Sequence, residues 1–243
     1  MPGLVAIDYA SALISGGLAI ATAFRARRSF NRWAFVVGML LFAAEAVFIA
    51  LSRSTSSPEE IAQWQIWRMV TIAMIPGAWL FFSSSYARHK KFPFPTRRGF
   101  ALALAIILPA AATYALSQHL ILSVQLTTWG TQFLVKLANG GTALFGILLL
   151  SSIGVVMNLE RTFRASVGTM RWRIKFMLLG LIVLNSVQFY VSSQAVLFHA
   201  TATSILVIRS FALFVGCLCM ARSFLRPGQF SIYLHPSHTA LYR

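Results

Sequence analysis

Ala34-Phe-Val-Val-Gly-Met-Leu-Leu-Phe-Ala-Ala-Glu45-Ala-Val-Phe-Ile-Ala-Leu51 is an eighteen-residue stretch with a single ionisable side chain. At a rise of about 1.5 Å per residue it crosses most of a hydrocarbon layer roughly 30 Å thick, and no soluble core helix needs so long an unbroken apolar run. Working outward from it, six comparable runs appear: Leu4 to Phe24, Met69 to Ala87, Phe100 to Gln118, Asn139 to Asn158, Phe176 to Leu197 and Thr201 to Ala221. The segment before Asn139 is also apolar, which leaves the start of the fifth run open as far back as Thr131. The first run lacks a basic segment ahead of it, since Arg25 follows it, so it does not read as a cleaved signal peptide. The expected fold is an all-α integral membrane protein, a bundle of seven transmembrane helices over residues 1–221.

The whole-chain arithmetic agrees. Of 243 residues 58% are hydrophobic and 11% charged, with a mean hydropathy of +0.72; a soluble domain carries about a quarter charged residues, and disorder demands low hydrophobicity. The net charge of +16 suggests nucleic acid only if location is ignored. Seventeen of the 21 Lys and Arg fall in alternate connections and the tail: Arg25, Arg27, Arg28 and Arg32; Arg88, Lys90, Lys91, Arg97 and Arg98; Arg161, Arg164, Arg171, Arg173 and Lys175; Arg222, Arg226 and Arg243. The other side holds Arg53, Arg68 and Lys136. The positive-inside rule then places the N-terminus outside and the C-terminus in the cytoplasm. Trp33 and Trp172 at the inner edge, with Trp64, Trp67 and Trp129 at the outer, fit interfacial belts. Phe92-Pro-Phe-Pro95 marks the turn between the third and fourth helices, while Pro76 and Pro109 fall inside helices three and four and kink them.

Charges within the spans carry the functional expectation, because each costs at least about 2.5 kcal/mol at the bilayer centre. Glu45 lies about 9 Å and Arg209 about 12 Å below the outer ends of their helices by the helical rise. Opposite charge and matched depth predict an ion pair between helices two and seven, either a structural clasp or the pivot of a ligand-sensitive switch. The competing arrangement has Arg209 reaching to the outer interface and Glu45 protonated. On helix six, Asn185, Gln188 and Ser192 share one face, which suits interhelical hydrogen bonds or a polar ligand pocket. His199, in the short turn that follows, is a solvated loop histidine or a sensor of external pH.

Chemical constellations are scarce. The lysines Lys90, Lys91, Lys136 and Lys175 avoid the span centres, which removes a retinal Schiff base, and the five histidines lie near or beyond helix ends, which disfavours a membrane haem. No phosphate-binding Gly-rich loop, metalloprotease motif or nucleophile elbow occurs. Cys217 and Cys219, two residues apart on a helix, point in different directions and read as packing residues rather than metal ligands. The expectation is a non-enzymatic chain with no catalytic residues, no metal and no cofactor.

The fifth-to-sixth connection is the most distinctive segment. Leu159-Glu-Arg-Thr-Phe-Arg164, then Arg171-Trp-Arg-Ile-Lys-Phe176, Ser193-Gln-Ala-Val-Leu-Phe198, and in the tail Ser231-Ile-Tyr-Leu234 with Tyr242-Arg243, resemble the N-terminal membrane region of PEP-CTERM (exosortase)-associated sensor histidine kinases. The resemblance is carried by residues 159–243. It implies a membrane sensory and anchoring module of a two-component system tied to cell-envelope or exopolysaccharide regulation, with Arg171, Trp172, Arg173 and Lys175 in a cytoplasmic signalling loop. In that family a further hydrophobic segment, a GAF-type domain and the kinase domains follow. Here no His precedes a Glu as in the usual phosphoacceptor motif, so kinase activity does not carry over onto this chain. Residues 222–243 accordingly read as a cytoplasmic juxtamembrane tail, the start of a truncated continuation, with a stand-alone relative as the alternative. The implied partners are the lipid bilayer, kinase domains in cis or a partner kinase, a second copy of the chain, and a small ligand, without nucleic acid. Two other classes compete: a small permease or transporter subunit using Glu45, Arg209 and the helix-six face as a path, and a structural scaffold subunit. Against the permease, no pair of Gly/Pro-broken helices recurs at matching positions in two halves.

Overall fold

A computed structural model describes residues 2–24, 30–85, 95–126, 133–166 and 169–224. These residues form seven long helices: α1 (Pro2–Ala23), α2 (Phe30–Ser54), α3 (Pro58–Ser85), α4 (Pro95–Ala115), α5 (Asn139–Ala165), α6 (Thr169–Phe198) and α7 (Thr203–Phe224). Six are long and apolar enough to cross a membrane, and α4 contributes the shorter apolar stretch Ala103–Ala115. α3 begins well before Met69. Pro58 opens it at a position where a missing N–H costs nothing, Glu59 and Glu60 sit favourably in its first turn, and Ile61, Gln65, Arg68 and Ile72 then fall on one buried stripe.

The helices pack in a ring. α1 lies between α2 and α7, α2 against α3, α3 against α5, α5 against α6 and α6 against α7, while α4 sits outside the ring against α3. Phe100, Leu104, Ile107 and Leu108 of α4 are exposed, as are Leu13 and Ile20 of α1 and Ile147 and Leu150 of α5; in lipid such a girdle carries no solvation penalty. The core runs down the inside of the ring through Phe35, Met39, Phe42, Ile49, Trp79, Phe82, Phe145, Leu181 and Leu213. Two crossings depend on glycine. A Cβ on Gly180 of α6 would stand 2.7 Å from the Gly216 carbonyl oxygen of α7, and one on Gly77 of α3 would collide with the Ala105 carbonyl of α4. Small residues let membrane helices approach this closely, which increases dispersion contact.

The chain adds a small sheet at the end of the bundle that holds the start of α1. β1 (Ile121–Leu126) pairs antiparallel with β2 (Phe133–Leu137), Val124 opposite Val135, and β2 pairs antiparallel with β3 (Ala200–Ala202), Val135 opposite Thr201. A fifth helix starting back at Thr131 does not form. Phe133-Leu-Val-Lys-Leu137 alternates buried and half-buried residues, the period of a strand, and a hydropathy run does not distinguish that from a helix. The fourth helix likewise stops at Ala115, before a 3₁₀ turn at Ser117–His119, rather than continuing to Gln118. His199 joins α6 to β3 with φ 49°, in the left-handed region. Its carbonyl accepts from the Leu137 amide at 2.8 Å, and its Nδ1 lies 3.1 Å from the Thr142 hydroxyl.

Candidate functional site

Five helices, α1, α2, α3, α6 and α7, bury polar side chains on the half of the bundle nearer the sheet. On α2, Glu45 continues the buried stripe of Phe35, Met39, Phe42 and Ile49, and on α7 Arg209 lies on the stripe of Leu206, Leu213 and Met220. The ring closes these stripes on one another. Arg209 donates from Nε to Glu45 Oε1 at 2.5 Å and from Nη2 to Oε2 at 2.6 Å, a bidentate pair with both side chains almost wholly buried. The Phe42 ring lies 5.7 Å from the Arg209 guanidinium carbon, so that cation meets a carboxylate edge-on and an aromatic face. Beside the pair, Phe42, Ala46, Ile49, Leu184 and Leu213 line a void of ≈ 10 Å³, room for about one water.

A second pair was not anticipated from the sequence. Arg53 of α2 reaches Asp8 of α1 at 2.6 Å and also donates to the Thr203 carbonyl at the start of α7 at 3.3 Å. Below it, Ser11 donates to the Ser210 carbonyl and Ser15 to the Met39 carbonyl. Asp8, Ser11 and Ser15 stand at i, i+3 and i+7, the spacing already read on helix six, so the signal was present on helix one. Arg53 and Arg68 do not belong to connecting loops, as the charge count took them to. Both are buried inside helices, Arg68 at 1% exposure, where its Nη1 donates to Gln65 Oε1 at 2.5 Å while Gln65 donates to Ser52.

Asn185, Gln188 and Ser192 are all buried, but their hydrogen bonds stay within α6: Asn185 donates to the Leu181 carbonyl at 2.8 Å and Gln188 to the Ser192 hydroxyl at 2.9 Å. Arg171, Trp172 and Arg173 lie in the first turns of α6, with side chains outside the described residues, and Lys175 is exposed. One turn on, Phe176 lies 5.1 Å from the Arg222 guanidinium of α7, joining the two helices at the basic end. The tail motif Ser231–Leu234 and Tyr242–Arg243 falls outside the described residues. Among the described residues no group of three His, Cys, Asp or Glu is placed to hold a metal, and Cys217 and Cys219 are free thiols.

These polar contacts converge on α7. Its first residue, Thr203, exchanges hydrogen bonds with the backbone of Phe133 in β2, accepting at 2.8 Å and donating at 2.9 Å; Arg53 holds its carbonyl, Ser11 holds that of Ser210, and Glu45 holds Arg209. The class so defined is a multi-pass helical membrane protein whose last helix is latched by ionic and polar contacts to the first two. Residues 9–227 match the family described as the N-terminal 7TM region of histidine kinases, and the chain belongs to that family. Neither the curated proteins nor the solved structures contain a match. The chain is therefore a membrane sensory region of a histidine kinase, embedded in the bacterial inner membrane.

Proposed function

We propose that the bundle receives a signal in its interior and passes it to cytoplasmic kinase domains, in cis or on a partner chain, as a change in the position of α7. The observation that carries this reading is the bidentate Glu45–Arg209 pair. It ties the helix leading to the C-terminal segment to α2, one place beyond its neighbour α1 in the ring, and two packings of such a latch differ by the making and breaking of a buried ion pair. The basic connection with Arg171, Trp172, Arg173 and Lys175, together with the Phe176–Arg222 contact, offers a second output on the same end. The clustering of basic residues at that end, with Arg53 and Arg68 now counted as interior charges, supports a cytoplasmic C-terminus and an external sheet. Residues 222–243 then form the juxtamembrane link, and two copies of the chain bring their kinase domains together. The resemblance of residues 159–243 to PEP-CTERM-associated kinases supports a role in envelope or exopolysaccharide regulation. The chain itself carries no turnover.

Fusing residues 1–243 to a histidine-kinase core and following autophosphorylation in vesicles tests the reading. Glu45→Gln and Arg209→Met should each shift basal phosphorylation at least about tenfold, the value of a 1.4 kcal/mol change in the equilibrium between two states. The unfused chain incubated with ATP should take up no label. Unchanged output in both variants, with folded protein in the membrane, refutes the latch as a signalling element. Label on a histidine of the unfused chain refutes the non-catalytic assignment.

A further inference from the structure

The sequence contains five acidic residues, and the structure locates every one. Asp8 holds Arg53, both oxygens of Glu45 are taken by Arg209, Glu160 pairs with Arg164 at the surface, and Glu59 and Glu60 stand exposed at the start of α3. Among the described residues Arg68 has no carboxylate within ion-pairing distance. Arg32 is buried too, but at the opposite end of α2; on the half nearer the sheet the guanidiniums of Arg53, Arg68 and Arg209 face the two buried carboxylates of Asp8 and Glu45, a local surplus of one positive charge. Arg68 feels that imbalance directly, attracted by Glu45 and repelled by Arg209 and Arg53.

Ordinary compensations do not relieve it. A guanidinium does not surrender its proton in a protein. Arg68 is 1% exposed, which removes water as a general solvent for the charge. Its Nη1 is occupied by Gln65, and Gln65 is held in turn by Ser52, but a neutral amide supplies no charge. The buried Nε carries no hydrogen bond among the described residues. That edge of the guanidinium is the one Arg209 presents to Glu45 in the same interior, Nε and Nη2 to the two carboxylate oxygens.

We propose that Arg68 anchors a buried site for an organic monoanion, whose carboxylate takes the Nε edge of the guanidinium beside Gln65 and neutralises the surplus charge. A planar fork with two parallel N–H bonds matches a carboxylate better than a spherical halide. A phosphate dianion would reverse the imbalance rather than cancel it. Beside Arg209 the free room is only ≈ 10 Å³. Binding therefore displaces side chains of α2, α3 and α7 and is coupled to how these helices pack. That this ligand is the signal rests on the sensory reading above; that it binds does not.

The test uses the full chain in phosphatidylcholine nanodiscs at fixed ionic strength, unfolded thermally in sodium chloride, sodium acetate or sodium phosphate. Acetate, the minimal probe, should raise the midpoint saturably by roughly 5 °C at a hundred times its Kd, with chloride and phosphate without effect. Arg68→Gln should abolish the acetate response. Arg68→Lys, which keeps the charge and loses the fork, should weaken it roughly ten- to a hundredfold and serves where the Gln variant fails to fold. No acetate response in the wild-type chain, an equal response to chloride or phosphate, or an acetate response retained by Arg68→Gln and Arg68→Lys would each overturn the site. Acetate binding that leaves the fused kinase unresponsive would instead separate the site from the sensory reading.

Discussion

Removing one partner of the Glu45–Arg209 pair should not cost the same from the two sides. Truncating either member of a buried pair typically costs about 3–5 kcal/mol because the survivor is left uncompensated. The structure breaks the symmetry. Glu45→Gln strands Arg209 and also removes the nearest attraction on Arg68, leaving two guanidiniums that repel each other across the core. Arg209→Met strands only a carboxylate, which keeps the attraction of Arg68. Glu45→Gln therefore belongs at the upper end of that range, about 5 kcal/mol, and Arg209→Met at the lower, about 3 kcal/mol. The double variant should cost far less than their sum, since only the neutral Gln amide and the lost Phe42 contact remain to be accommodated. The assay is equilibrium unfolding in mixed micelles with increasing sodium dodecyl sulfate, followed by Trp fluorescence. Simple addition of the two single effects, or a larger loss for Arg209→Met than for Glu45→Gln, refutes the reasoning.

The topology should give cytoplasmic signals from reporters fused after Arg28, Arg98, Lys175 and Arg226, and external signals at two of these sites would invert the assignment. Gly180→Val, which drives a side chain into the Gly216 carbonyl, should destabilise the α6–α7 crossing by about 1–3 kcal/mol or more by overpacking. Gly17→Val, with nothing within 4 Å of its Cβ, is the control and should change the unfolding midpoint little.

Hydropathy made the helices legible, because a run long enough to span hydrocarbon is a local property of the chain and the solvent. It also made Glu45 and Arg209 legible as a pair, since depth along the bilayer normal can be counted along each helix without knowing its neighbours. Depth is one coordinate. Asp8 and Arg53 lie near run ends, where a charge reads as interfacial, and only the adjacency of α1 to α2 brings them together. Arg68 read as a loop cation because the apolar run of helix three starts at Met69, yet α3 starts at Pro58 and turns Arg68 inward in line with Ile61 and Gln65. The helix-six triplet shows the reverse limit: its common face is visible in the spacing, but whether the groups bond across helices or back onto their own turn depends on what the ring places opposite them. The sheet escaped notice because five or six apolar residues satisfy a strand and a helix equally until partners are available to pair their backbone.

The sequence alone thus determined the solvent and the number of helices, which follow from hydrophobicity summed along the chain, and offered the α2–α7 pair as one of two arrangements of its interior charges. Tertiary structure decided the order of the ring, the sheet that holds the start of α7, and the surplus charge at Arg68. Those depend on which faces meet, and a count of charges becomes an imbalance only when each carboxylate has been assigned to the cation beside it.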